Sequence, residues 1–132
     1  MSDGVDLSGS CSCGAVRYKI AGPAGVILAC HCTQCRKQTG HHYAATRAAA
    51  SAVTITGEDN LTWFTSSDWA KRGFCKTCGS HLFWKANDSD EISIGAGSID
   101  GPTGLQIDTH IYVADKGDYY DIADGRPQKP IR

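Results

Sequence analysis

The sequence predicts a mainly β fold of short antiparallel strands. Apolar residues recur with a period of two over short runs, and the chain carries 15 glycines that interrupt those runs. Spacing between the runs is irregular, unlike a βαβ repeat. Val16, Tyr18 and Ile20 alternate with Arg17 and Lys19, and Val53 and Ile55 with Thr54 and Thr56. Leu61–Phe64, Leu82–Trp84, Ile92–Ile94 and Ile111–Val113 read as further strands or parts of strands. One short helix is expected over Gln34–Thr39, with Thr33 as its cap and Gly40 as the left-handed residue that ends it. The alanine-rich stretch Ala44–Ala52 is open between helix, by propensity, and strand or loop. Beyond Ala114 the tail is polar. Asp115, Asp118, Asp121 and Asp124 read as solvated charge, and Tyr119 and Tyr120 as the residues that dock the tail.

A length of 132 residues fits one domain over 1–132, with the first eight residues and the C-terminal tail peripheral. A formal net charge of −1 is unlike the basic balance of a nucleic-acid binder. The polar N-terminus has neither a basic nor an apolar leader region, and no apolar run is long enough to span a bilayer. The expected compartment is the cytosol, where thiols stay reduced. The cysteine count, seven, is odd, which also argues against a disulfide framework.

Those cysteines fall in three groups: Cys11-Ser12-Cys13, Cys30-His31-Cys32-Thr33-Gln34-Cys35 and Cys75-Lys76-Thr77-Cys78. Sulfurs sharing one zinc ion lie about 4 Å apart, and C-x-x-C and C-x-C turns bring them there. Buried apolar cysteines have no reason to cluster so, and no βαβ pattern supports a redox dithiol at Cys75/Cys78. Seven ligands divide into four, a closed structural site, and three, an open one with a position for water or substrate. Spacing leaves two partitions. Cys32/Cys35 can pair with Cys75/Cys78 as a zinc ribbon. Alternatively Cys11/Cys13 pair with Cys75/Cys78 and leave Cys30/Cys32/Cys35 as a triad, which is more economical for the local chain.

Four segments closely resemble the glutathione-dependent formaldehyde-activating enzyme family, which includes centromere protein V. They are Gly9–Tyr18, Cys30–Cys35, Phe74–Ser80 and His110–Tyr112, in the family's order, and all seven cysteines match. The resemblance implies a β-tent fold and the second partition: a structural zinc on Cys11, Cys13, Cys75 and Cys78, and a catalytic zinc on Cys30, Cys32 and Cys35. It implies a carbon–sulfur lyase acting on an adduct such as S-hydroxymethylglutathione, with glutathione and formaldehyde as partners. The motif fixes the metal sites better than the substrate. A non-catalytic zinc module that binds a thiol or a protein is the alternative, and a purely structural zinc domain a third reading that the incomplete triad disfavours.

His110 is the candidate proton donor. His31, between two ligands, is expected to point away from them into packing, His41 and His42 to form a polar loop, and His81 to be structural. Arg36 and Lys37 are the candidate contacts for glutathione carboxylates, among the basic residues Lys71, Arg72 and Lys76 that also flank the motifs. Trp63, Trp69 and Trp84 are expected in the core.

Overall fold

A computed structural model describes residues 6–132. The reading of the N-terminus rests partly on Met1–Val5, which lie outside the described residues. Ten strands among the described residues form two sheets. β1 (Leu7–Ser10), β2 (Arg17–Ile20) and β5 (Val53–Thr56) make a three-stranded antiparallel sheet in the order β1-β2-β5. The larger sheet contains β3 (Ile27–Cys30), β4 (Tyr43–Ala49), β6 (Leu61–Thr65), β7 (Ala70–Cys75), β8 (His81–Ala86), β9 (Glu91–Gly95) and β10 (Ile107–Ile111). Its order is β10-β3-β4-β9-β8-β7-β6, antiparallel except for the parallel pair β10–β3. The fold is therefore mainly β, with a single α-helix, α1 (Thr33–Thr39), among the described residues.

The period of two assigns each face of the large sheet a different task. Thr46 pairs with Ile94, Ala48 with Ile92, and Phe83 with Ile94. Ala48, Phe83, Ile92 and Ile94 face the small sheet and share a core with Val16, Tyr18 and Ile20. Tyr18 meets Phe83 edge-on at 5.4 Å. The residues between them, Cys30, Tyr43, Ala45, Arg47, Ser93, Trp84 and Arg72, pair across neighbouring strands and face the other way.

The alanine-rich stretch is strand through Ala49, followed by a 3₁₀ turn at Ala50–Ala52. Propensity yields here to position: β4 lies inside the sheet between β3 and β9, where both edges of its backbone find partners. The expected strand at Ile111–Val113 ends at Ile111, because Tyr112 turns the chain with φ 55. Helix α1 is capped by Cys32 and not Thr33, since the Cys32 sulfur accepts from the Cys35 N–H. Gly40 closes the helix as expected, at φ 88.

The tail returns along β10. Pro127 C=O accepts from His110 N–H at 2.9 Å, and Lys129 N–H donates to His110 C=O at 2.9 Å. The two tyrosines anchor the tail: Tyr119 Oη meets His41 Nδ1 at 2.7 Å, and Tyr120 Oη meets His31 Nδ1. No helix among the described residues is long and apolar enough to cross a membrane.

Candidate functional site

The seven cysteines come together as two clusters, each with its sulfurs within 4.8 Å of one another. The first joins Cys11, Cys13, Cys75 and Cys78. Two tight turns build it. Gly14, at φ 80, follows Cys13, and Gly79, at φ 78, follows Cys78; both adopt a left-handed backbone that side chains disfavour. Within the turns, Val16 N–H and Cys78 N–H point at the sulfurs of Cys11 and Cys75, at 3.3 and 3.5 Å. Asn60 Nδ2 adds a third donor, to Cys75, at 3.1 Å. Cys11–Cys13 and Cys13–Cys75 sulfur separations of 3.6 and 3.7 Å match the edge of a tetrahedron around a metal bonded at about 2.3 Å. The donor set fits zinc and leaves no fifth position.

The second cluster joins Cys30, Cys32 and Cys35. Cys30 ends β3, Cys32 caps α1 and Cys35 lies in its first turn, so a strand-to-helix junction presents all three sulfurs. Hydrogen bonds from the Cys30 and Cys35 thiols hold Cys32 far below the usual thiol range, and Cys35 N–H adds to the effect. Cys30 shifts the opposite way, because the trio shares one anionic sulfur before further protons leave. Arg72 Nη2 donates to the Cys35 sulfur at 3.4 Å. Three soft donors with one side left open fit a zinc ion that keeps an exchangeable position.

That open side faces a cavity of about 540 Å³. Ala45 forms part of its floor, where a larger side chain would fill the space. Trp69 and Trp84 make one wall, edge to face at 5.4 Å, and Trp69 is 51% exposed. Trp63 packs with the main core, stacked near Phe83, and Trp84 packs on the small cluster of Cys35, Tyr43 and Ala45 while lining the cavity; the expectation fails for Trp69, which sits half-exposed in the bend before β7. Four cations, Arg47, Arg72, Lys129 and Arg132, line the cavity against one carboxylate, Asp108.

Three expected residues are placed elsewhere. Arg36 and Lys37, in the last turn of α1, do not line this cavity. The strands and tail supply its cations instead, from positions far apart in sequence. His110 alternates with the cavity residues Thr109 and Ile111, so its ring falls on the opposite face of β10. There it joins a buried chain. Asp124 Oδ2 accepts from His110 Nε2 at 2.8 Å, and His110 Nδ1 meets His31 Nε2 at 2.9 Å. His31 is fully buried and continues to Tyr120. Asp124 is thus a structural partner as well as a surface charge. The Arg126 N–H, followed by His110, holds its carboxyl below the usual range. His41 and His42 pack on this chain, with ring centroids 4.4 Å apart, away from the triad's cavity.

A β-sheet protein with a closed four-thiolate cluster and an open three-thiolate cluster defines a narrow class. The family model of the glutathione-dependent formaldehyde-activating enzyme matches residues 6–115, and the chain belongs to that family. An uncharacterized lyase of Schizosaccharomyces pombe is 28% identical over 119 residues, covering 89% of this chain and 86% of that protein. A Halomonas elongata protein provisionally named a glutathione-dependent formaldehyde-activating enzyme is 31% identical over 85 residues. That match covers 58% of this chain and 54% of the relative. A crystal structure of a Rhodobacter sphaeroides protein superposes with a TM-score of 0.63 at 27% identity, covering 74% of this chain and 91% of that one.

Proposed function

We propose that this protein is a carbon–sulfur lyase that joins a small aldehyde to an anionic thiol and cleaves the adduct, with glutathione and formaldehyde as the first pair to test. Two zinc ions serve it, a structural one on Cys11, Cys13, Cys75 and Cys78 and an exchangeable one on Cys30, Cys32 and Cys35. The observation that carries the reading is the open triad at the edge of a cavity walled by tryptophan and cations. A zinc ion held by the triad supplies a soft acceptor that takes up a thiol in its deprotonated form.

The chain's own residues do the rest. Arg47, Lys129 and Arg132 offer the cavity's positive charge to the carboxylates of a peptide thiol. Trp69 and Trp84 cover the apolar part of the ligand and exclude water from one side. Held beside an aldehyde, the substrate sulfur adds to the carbonyl carbon, and proximity supplies most of the gain. The new alkoxide takes the proton that the thiol gave up, through water. The His110 ring bonds only to His31 and Asp124 among the described residues, on the face away from the cavity, so it acts in positioning the Cys30–Cys32 segment. A reducing compartment such as the cytosol suits seven thiolate ligands.

The test is saturable, zinc-dependent acceleration of S-hydroxymethylglutathione formation or breakdown over the buffer reaction. Glutathione and formaldehyde combine unaided, so the buffer rate is the control. Rates equal to buffer for several thiols and aldehydes, with retained glutathione binding, establish the non-catalytic thiol-binding module instead.

A further inference from the structure

Arg72 lies in β7, is 2% exposed and pairs across the strands with Trp84. A guanidinium stays charged in a protein, and a buried charge needs a compensating anion. Among the described residues no carboxylate lies within ion-pair distance of it. Its Nε and Nη2 donate instead to Gln34 Oε1, at 3.3 and 3.0 Å, and Gln34 Nε2 is anchored on Ser66 C=O at 2.8 Å. A glutamate of nearly the same shape at position 34 would neutralise the arginine. The amide that stands there aims the fork and leaves its charge uncompensated. Tyr43 and His81, which also feel that charge, are neutral at pH 7. Burial pushes the Tyr43 hydroxyl up, and burial, with a lesser contribution from Arg72, holds His81 at about 4. What remains is the triad, where Nη2 reaches the Cys35 sulfur at 3.4 Å.

We propose that Arg72 is a positioning residue that acts through Cys35 and makes the open position of the triad selective for an anionic sulfur over a neutral donor such as water or imidazole. The proposal rests on the reading of the triad as an exchangeable zinc site. Three thiolates outnumber the two charges of a zinc ion by one, so the loaded triad is already anionic. A substrate thiolate adds a further negative charge, whereas water or a neutral nitrogen base adds none. The repulsion therefore falls on thiolates alone, and it is stronger in a site walled by protein than in water. A guanidinium fixed beside one ligand sulfur offsets it before any ligand arrives. No bond of Arg72 forms or breaks, and it need not touch the substrate. Arg47, Lys129 and Arg132 serve the carboxylates of a ligand, so a thiol without carboxylates isolates the contribution of Arg72.

The experiment uses the whole chain loaded with cobalt. The four-cysteine cluster has no position to exchange, so ligand-induced changes in the cobalt absorption bands report the triad. Wild type, Arg72→Met, Arg72→Lys and Gln34→Glu are titrated at one pH with 2-mercaptoethanol, glutathione and imidazole. Arg72→Met is expected to bind both thiols about tenfold more weakly, the scale of one charge several ångströms away at the effective dielectric of a protein. Imidazole affinity stays within about twofold, because a neutral ligand does not sense the lost charge. Arg72→Lys keeps the charge and should hold 2-mercaptoethanol affinity within about threefold of wild type. Gln34→Glu should reproduce the loss for 2-mercaptoethanol with the arginine still in place, because the new carboxylate neutralises it. If an Arg72 variant sheds metal, Gln34→Glu decides. Wild-type affinity for 2-mercaptoethanol in Gln34→Glu overturns the proposal. An equal loss for thiols and imidazole overturns it too, since a merely structural role would weaken every ligand alike. Both results leave the lyase reading intact, because wild-type turnover is measured separately. Turnover at the buffer rate with the thiol-selective loss present supports the proposal and overturns the lyase reading. A wild-type cobalt form whose bands no thiol alters overturns both.

Discussion

The four-cysteine cluster joins turns 62 residues apart, whereas the three-cysteine cluster is made by six consecutive residues. In the first, backbone N–H groups and Asn60 surround the sulfurs, and the ligand set is complete. In the second, one side faces the cavity and a buried arginine meets the charge. A metal in the first site ties distant parts of the chain together and adds to folding directly. A metal in the second organises only a local junction, so it can exchange ligands without loosening the sheets. On the proposed assignment, distance in sequence, with the same ligand type in both sites, separates the structural role from the exchangeable one.

The largest expected effect tests that separation. Cys13→Ser or Cys78→Ser should unfold the protein, because apparent zinc-binding energies of about 10–16 kcal/mol rival the whole stability of a domain. Cys32→Ser should remain folded, hold one zinc fewer and run at the buffer rate. Circular dichroism with zinc analysis of both variants checks the contrast. Equal unfolding would mean that a metal on the triad is structural as well.

A smaller effect distinguishes positioning from chemistry. His110→Ala removes a buried ring bonded to both His31 and Asp124, and should cost about 2 kcal/mol in stability. Its kcat should stay within about twofold at a temperature where it is folded, since the ring lies across the sheet from the cavity. A kcat collapse with unchanged melting temperature would restore His110 as the proton donor.

On the open side, Trp69→Ala should raise KM about fivefold, the loss of about 1 kcal/mol of aromatic contact, with kcat unchanged. Trp69 is half exposed, so its stability should move by less than about 0.5 kcal/mol. An unchanged KM would mean that the ligand does not use this wall.

The smallest effect concerns pH. Burial, with a lesser contribution from Arg72, lowers the His81 pKa from 6.5 to about 4. Between those values the unfolded chain binds the extra proton, so stability from this group is present above pH 6.5 and lost as pH falls toward 4. His81→Phe should therefore lose less stability than wild type between pH 7 and pH 5. Denaturant midpoints at the two pH values check this, and the acid loss common to the thiolate ligands cancels in the difference.

Legibility in the sequence followed the range of the interaction. The cysteine spacings marked metal ligands because each turn is local, and the family resemblance supplied the partition that spacing left open. Strands with period-two patterns, such as Arg17–Ile20 and Val53–Thr56, were readable for the same reason. β7 was hidden because Lys71 and Arg72 interrupt any apolar alternation and were set among the basic residues flanking the motifs, although one packs 4.3 Å above Trp63 and the other is buried beside the Cys35 sulfur. β4 was ambiguous because alanine suits helix alone and sheet in context. The cavity was not readable at all. Arg47, Lys129 and Arg132 meet only through the sheet order and the returning tail, and no local pattern encodes that meeting. Asp124 looked like its fellow tail aspartates, and only the folded chain distinguishes it by placing His110 alongside.

The returning tail carries a consequence for divergence. The family pattern ends at residue 115, yet Lys129 and Arg132 beyond it form part of the cavity wall, and Pro127 and Lys129 are laced to β10. Part of the cavity's cationic wall thus lies outside the family pattern, while Arg47, Trp69 and Trp84 lie within it. A segment joined through backbone hydrogen bonds accepts new side chains without disturbing its seat. Substitutions at Lys129 and Arg132 would therefore change the charge of the cavity without touching a cysteine.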